Sequence, residues 1–331
     1  MKIVITGCYG FIGFNFLNHI IKNYGSEFQI IGIDKLNNPY SRLNYETFNE
    51  HENFEFFEED ICNIDSLDSN RLDKVDVLVN FAAESHVDTS IYNPELFIKS
   101  NILGVNNLLS YSVKNKIQNF VQISTDEVYG SSVKEFFDES SKLQPSSPYS
   151  ASKASADMIC EAFRTTFGLN IRTIRPANNY GNYQQPEKLI PFSISNLVEK
   201  KEIEIYGDGT NVRHWLSVKD TVNAITYVIE KGKDNEIYNI GSGEYKSNNE
   251  IAKMLVSYFN LENDSIKYVK DRPGHDFRYA IDFEKIKNIG WEPKYVLENT
   301  LNETIEWYLQ NKEWWKKDLE NLRTRRNLRF L

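Results

Sequence analysis

The chain has 331 residues, 40% of them hydrophobic and 13% aromatic, enough to bury a sizeable core in one large domain or two integrated ones. A formal net charge of -9 works against a generic nucleic-acid or anionic-membrane surface, so an anionic ligand needs a local basic pocket. Three widely spaced cysteines, Cys8, Cys62 and Cys160, make neither a metal-ligand cluster nor a disulfide framework and point to a reducing, cytosolic setting.

No signal peptide is expected, because the apolar run after Met1 breaks at once into Thr6-Gly7-Cys8-Tyr9-Gly10. No stretch of about 20 apolar residues suggests a membrane span. Residues 2–6 read as a buried parallel strand running straight into Gly7-Cys8-Tyr9-Gly10-Phe11-Ile12-Gly13 and a helix over 14–24. In that context Gly7 allows a tight turn, Gly10 lets backbone amides approach a pyrophosphate, and Gly13 lets the helix pack close. The helix N-terminus then presents its positive dipole end to the phosphates. A second strand over 29–33 ends in Asp34, placed to accept hydrogen bonds from adenosine ribose hydroxyls and to repel a 2′-phosphate, which favours NAD over NADP.

A third strand, 54–58, leads to Asp60-Ile61, where Asp60 either reaches an adenine or caps a helix. The fourth, 75–81, opens into Ala82-Ala83-Glu84-Ser85-His86, whose small alanines permit close approach to a cofactor; His86 is read as a packing or hydrogen-bonding residue rather than a catalytic one. A helical segment over 94–114 precedes the run Phe120-Val121-Gln122-Ile123-Ser124-Thr125-Asp126-Glu127, a buried strand that delivers a hydroxyl and two carboxylates at its C-terminal edge. Tyr149 and Lys153 follow, four residues apart at the start of a helix and so on one face, where an ammonium would lower the phenol pKa.

From Ile171 the alternation changes. After a strand over 170–174, residues 175–191 are rich in proline, asparagine and turn residues and read as substrate loops. Tyr206-Gly207-Asp208-Gly209 is a turn, 220–231 an amphipathic helix, 237–240 a strand, 248–258 a helix, and helices resume from Leu297. The tail holds Lys312, Lys316, Lys317, Arg323, Arg325, Arg326 and Arg329, read as a solvated helix face rather than a partner-binding arm.

With the glycine turn, Asp34, Ser124 to Gly130 and Tyr149-x-x-x-Lys153 in hand, the chain resembles the extended short-chain dehydrogenase/reductases. More narrowly it resembles the nucleoside-diphosphate-glucose 4,6-dehydratases, which act on dTDP-glucose or UDP-glucose. Further matching stretches are Ala82 to Asp88, Ser147 to Lys153, Asn178-Asn179-Tyr180-Gly181, Pro186 to Pro191, Tyr206 to Gly209 and Asp271-Arg272-Pro273-Gly274-His275, spread over nearly the whole chain. Thr89 and Asn182 depart from the pattern, where arginine and proline are usual. The resemblance implies an α/β fold, a Rossmann-like doubly wound parallel sheet with a smaller, mixed C-terminal substrate-binding domain. Residues 1–175, completed by segments near 212–242, would hold NAD, and 176–331 the nucleotide sugar.

It also implies roles. Tyr149, aided by Lys153, takes the 4-hydroxyl proton while C4 is oxidised, Glu127 removes the C5 proton, protonated Asp126 helps the 6-hydroxyl leave, and Thr125 orients the 4-hydroxyl. Two adjacent carboxylates sharing a proton suit that pairing of acid and base. NAD would lie along Gly7, Gly10, Phe11, Ile12, Gly13, Asp34, Lys35, Asp60, Ile61, Phe81, Ala82, Ala83, Ser100, Tyr149, Lys153 and Asn179. The nucleotide sugar would meet Ser85, Thr125, Asn178, Lys188, Leu189, Tyr206, Arg213, Asn248, Arg272 and His275, with no metal; a homodimer packed through helices of the first domain is expected. A 4-epimerase or decarboxylase on this scaffold, and a non-catalytic NAD sensor, are the competing readings.

Overall fold

The computed structural model describes residues 1–48, 51–67 and 71–328. Among them the strands are, in chain order, β1 (Lys2–Thr6), β2 (Gln29–Asp34), β3 (Phe54–Glu58), β4 (Val77–Asn80), β5 (Asn119–Ile123), β6 (Asn170–Pro176), β7 (Asn178–Tyr180), β8 (Ile203–Tyr206), β9 (Val212–Ser217), β10 (Ile237–Ile240), β11 (Tyr245–Ser247) and β12 (Ile266–Val269). Seven of them form one parallel sheet in the order β10-β6-β5-β4-β1-β2-β3. Their apolar runs are buried because helices cover both faces. Phe14, Leu17, Val222 and Ile225, from helices Phe11–Tyr24 and Val218–Lys231, fill one side. Val105, Leu108, Ala156 and Cys160, from helices Gly104–Lys114 and Pro148–Phe167, fill the other.

The strand order reverses between β1 and β4, which leaves a crevice beyond their C-terminal ends, the place where an open α/β sheet binds ligands. A separate core of Ile190, Trp215, Ile251, Leu301 and Trp315 supports the smaller unit. That unit carries the three-stranded sheet β11-β9-β7 and the parallel pair β12-β8. No helix among the described residues is long and apolar enough to cross a membrane.

Two segments differ from the sequence reading. Asn178 to Tyr180, read as loop, forms β7, because pairing with Trp215 to Ser217 of β9 satisfies its backbone. The helix read over 94–114 is interrupted by a wide-turn segment, Ile98–Leu103. There Asn101 is buried; its side chain accepts from Glu84 N (2.8 Å) and donates to Glu84 O (2.9 Å) and Ser152 Oγ (2.8 Å), tying the loop after β4 to the helix that bears Tyr149. In the tail, Trp314, Trp315 and Leu319 are buried, and Arg323 donates to Glu199 (2.5 Å) and Asn196 (2.8 Å), so the helix face there is partly anchored. The side chains of Arg325 and Arg326, and Arg329 as a whole, lie outside the described residues.

His214 is fully buried, and its Nε2 accepts from Ser242 N and Gly243 N, both at 2.8 Å. Burial, helped by Arg278, lowers its pKa from 6.5 to about 3. The folded state refuses a proton that the unfolded chain takes up below its ordinary value, so this contribution is complete above pH 6.5 and is lost as pH falls. The loss amounts to about 1.4 kcal/mol per pH unit. Urea unfolding at neutral and mildly acidic pH checks this: His214→Gln, which keeps an acceptor but cannot titrate, should lose less stability on acidification than the parent.

Candidate active site

Gly7 has φ +65° and donates its N–H to Ile33 O at 2.7 Å, and a Cβ there would meet Ala82 N at 2.6 Å. At Gly13 a Cβ would meet Gly7 O at 2.1 Å, so the third glycine lets the helix close onto the turn itself rather than onto the strand. Helix Phe11–Tyr24 begins at Gly10 with no side-chain cap, which leaves the first-turn amides of Phe11 and Ile12 for an anion. Asp34 is buried; Oδ2 accepts from Tyr9 N and Oδ1 from Leu36 N, both at 3.0 Å, so the carboxylate fixes the turn while each oxygen keeps a lone pair for a hydroxyl. Phe81 N donates to Thr6 O at 3.0 Å and sets Phe81, Ala82 and Ala83 across the crevice. Lys35 Nζ donates to Glu84 Oε1 (3.1 Å) and Ser100 Oγ (3.3 Å) beside it. Asp60 Oδ1 accepts from Cys62 N at 2.9 Å and so caps the short helix Ile61–Ser66, the second of the two roles open to it. The uncapped helix start and the glycine turn, where a Cβ would collide with backbone, leave a cradle suited to a dinucleotide.

Beyond β5, Thr125 caps a single helical turn, Asp126–Tyr129, with its hydroxyl accepting from Glu127 N at 3.3 Å. That turn carries both carboxylates into the interior, 2% and 9% exposed. Their environments differ. Burial, and then the Glu127 charge, push Asp126 well above the usual carboxylate range, and its Oδ2 has no hydrogen-bond partner. Burial raises Glu127 as well, but Arg272, Lys188 and Arg213 oppose the rise. Both carboxyl groups are pushed up, Asp126 strongly and Glu127 less because three cations oppose the rise, so the two are held unequally.

Helix Pro148–Phe167 starts with a reciprocal cap between Ser147 and Ser150, which seats Tyr149 and Lys153 in its first two turns, both buried. The expectation that Lys153 lowers the Tyr149 pKa is not met in this structure. The phenol is pushed up, first by burial and then by the Glu127 charge, with the adjacent Thr125 hydroxyl opposing the rise. Lys153 instead donates to Ile123 O at 2.6 Å, and its own pKa is lowered from 10.5 to about 8, chiefly by burial.

Glu127 also lines a cavity of about 170 Å³ shared with Asn178, Asn179, Lys188, Leu189, Tyr206, Arg213, Asn248, Arg272 and His275. Most of the residues expected at a nucleotide sugar thus meet in one place, while Asn179 faces this cavity and accepts from Thr221 Oγ1 at 2.6 Å. Ser85 is exposed at its edge, its carbonyl accepting from Lys188 Nζ at 2.6 Å. Three cations, Lys188, Arg213 and Arg272, line this cavity together with the carboxylates Asp88, Glu127, Glu187 and Glu204, so any positive site for an anion is confined to the cations' own positions. His275 is held neutral there, its pKa lowered to about 4 by burial, Arg272 and Arg213. Asn178 Oδ1 is buried with no partner, an acceptor in the cavity wall. His86 accepts Thr89 N at 3.1 Å and caps helix Val87–Tyr92, in keeping with a hydrogen-bonding role.

The sequence reading missed a layer behind these groups. Tyr279 OH donates to Asp276 Oδ2 at 2.6 Å, lies 3.4 Å from Glu127 Oε2, and packs its ring against Arg213, 4.3 Å from the guanidinium carbon to the centroid. Arg213 donates to Asp276 O at 3.0 Å, and Asp276 also accepts from Ser146. Asp88 accepts from Tyr206 OH at 2.9 Å and lies 3.7 Å from Arg272. The signal for this layer in the sequence is the second half of the run Asp271 to Tyr279, which holds Asp276, Arg278 and Tyr279.

The family model for GDP-mannose 4,6 dehydratase matches residues 4–304. A dTDP-glucose 4,6-dehydratase of Streptomyces niveus is 39% identical over 96% of this chain and 95% of its own length. Among solved structures, DesIV of Streptomyces venezuelae, a dTDP-glucose 4,6-dehydratase with NAD and TYD bound, superposes with a TM-score of 0.92 at 38% identity, covering 96% of this chain and all of that one. The dTDP-glucose 4,6-dehydratase of Bacillus anthracis in complex with NAD gives 0.87 at 43% identity, covering 96% and 99%. A match of this extent in sequence and in structure, over a site with this chemistry, shows that the chain belongs to the GDP-mannose 4,6 dehydratase family.

Proposed function

We propose that the chain is an NAD-dependent hydro-lyase that converts dTDP-glucose or UDP-glucose to the 4-keto-6-deoxy nucleotide sugar. The observation that carries this reading is the buried Asp126–Glu127 pair, unequally poised beside Tyr149, with Glu127 lining the cavity into which Lys188, Arg213 and Arg272 also project. The residues of the glycine turn, Asp34 and the Phe81 to Ala83 wall hold NAD, which when bound supplies reversible hydride exchange and a positive charge on its nicotinamide ring. Tyr149 takes the proton of the 4-hydroxyl, with Thr125 orienting that hydroxyl. A C4 ketone acidifies C5–H, and Glu127 accepts that proton. Asp126, protonated, donates to the 6-hydroxyl as the C6–O bond breaks and water leaves; C6 would then regain the hydride that C4 lost, and Glu127 would return its proton to C5. Lys188, Arg213 and Arg272 hold the diphosphate.

The same reading takes the enzyme as a homodimer, supported by the exposed apolar side chains Ile98, Leu103 and Met158 on the helices flanking one sheet face. It also places it in the cytosol, where three free thiols suit a reducing compartment. The test is incubation with each nucleotide glucose labelled with deuterium at C4. Loss of water with the label recovered on the C6 methyl is expected; a C4 epimer as sole product overturns dehydration.

A further inference from the structure

Beyond the smaller unit, the polypeptide returns to the dinucleotide half of the molecule. Trp314 lies in the short helix Lys312–Lys316, and its indole Nε1 donates to Asn44 Oδ1 at 2.8 Å, across 270 residues of sequence. Asn44 belongs to helix Pro39–Thr47, and its Nδ2 donates to Tyr9 O at 2.9 Å. Tyr9 stands between Gly7 and Gly10, and its own N–H is the one that meets Asp34 Oδ2 at 3.0 Å. All four residues are buried.

The direction of this line of hydrogen bonds is fixed. An indole N–H only donates and a peptide carbonyl only accepts, so the Asn44 amide fits one way round; turned over, it would set N–H against N–H and oxygen against oxygen. The carbonyl that Asn44 holds belongs to the same peptide as the Gly10 N–H, which donates to Gly7 O at 3.1 Å. Asn44 therefore sets the plane of the peptide that leads into the uncapped helix start. A second contact braces the same two helices: Tyr40, one turn before Asn44, donates its hydroxyl to Trp315 O at 3.2 Å. The Trp314 ring packs against Tyr40 and Trp307, with centroids 5.0 and 5.2 Å away.

From these contacts, and resting on the reading that Asp34 and the glycine turn hold NAD, we infer that Trp314 is a positioning residue for the cofactor: through Asn44 its indole fixes the Tyr9 backbone, and with it the aim of the Asp34 carboxylate and of the first-turn amides. A buried amide oxygen deprived of its donor costs more than the bond itself is worth, so loss of the indole N–H is relieved by movement of Asn44 and of the turn it holds.

The test follows release of NAD from the loaded protein, by exchange with radiolabelled NAD, together with hydrogen exchange of the peptide spanning residues 7–13, by mass spectrometry. Trp314→Phe, which keeps an aromatic ring and loses the N–H, should release NAD at least about threefold faster than the parent, and Asn44→Leu at least as fast as that. Because the indole acts through Asn44, the double variant should release NAD no faster than Asn44→Leu alone. Trp315→Phe is the comparator: its indole donates to Tyr308 O at 2.8 Å within the smaller unit, so release should stay at the parent rate. Should Asn44→Leu not fold, Asn44→Asp, which keeps the acceptor and loses the donor to Tyr9 O, takes its place in the cycle. Release at the parent rate in Trp314→Phe, additive effects in the double variant, or equal acceleration in Trp315→Phe overturns the inference. Hydrogen exchange needs no cofactor and should be faster over 7–13 in Trp314→Phe but not in Trp315→Phe; equal exchange in the two overturns the inference as well. A parent protein that retains no NAD would fail the functional reading, and the exchange comparison would still decide the positioning role.

Discussion

Tyr149→Phe is expected to lower turnover of the nucleotide sugar by roughly a thousandfold and to stop the reaction before any reduced cofactor forms. The substitution removes one hydroxyl and keeps the ring, so the edge contact with Phe97, 6.2 Å between centroids, survives and the reciprocal Ser147–Ser150 cap is untouched. Loss of activity therefore reports chemistry. It falls on the first step because the phenol is the base that must take a proton from the 4-hydroxyl, and burial together with the Glu127 charge already opposes its ionisation. The positive charge of bound NAD would favour the phenolate and oppose that effect. Single-turnover absorbance of reduced cofactor is the readout. Its appearance in Tyr149→Phe at the parent rate would remove the tyrosine from the proposed chemistry.

The parts of this site that were legible in the sequence are those whose function depends on local spacing. Gly7, Gly10 and Gly13 have meaning because a strand precedes and a helix follows, and Tyr149 with Lys153 because a helix puts i and i+4 together. The same holds for the seven-stranded sheet, whose strands are short apolar runs bounded by turn residues. What the sequence could not show is direction and distance. Spacing put Lys153 near Tyr149, yet its ammonium turns toward Ile123 O, a carbonyl thirty residues earlier in the chain. Tyr279 approaches Glu127 across a separation of 152 residues, and Ser146 meets Asp276 across 130, contacts set by docking of the smaller unit against the sheet. Asn178 to Tyr180 looked like loop because asparagine disfavours strands, and only the presence of β9 alongside made pairing the better outcome.

Glu127→Gln and Asp126→Asn should each slow product formation by at least about a hundredfold, and they should do so at separable points. Both replacements are close in shape, and both act after C4 is oxidised, so reduced cofactor should still form in each. Glu127 is the carboxylate that Arg272, Lys188 and Arg213 pull toward its ionised form, so its loss removes the base for C5–H. In heavy water, Glu127→Gln should therefore take up no deuterium at C5. Asp126 is the carboxyl that burial and its neighbour's charge push strongly toward its protonated form, with an Oδ2 that has no partner, so Asp126→Asn should still exchange C5–H while failing to expel water. Removing the Glu127 charge also removes the second-largest cause raising Tyr149, so the ionisation of the phenol should move to lower pH in Glu127→Gln. Equal C5 exchange in the two variants would dissolve the division of labour between the acid and the base, even if both proved slow.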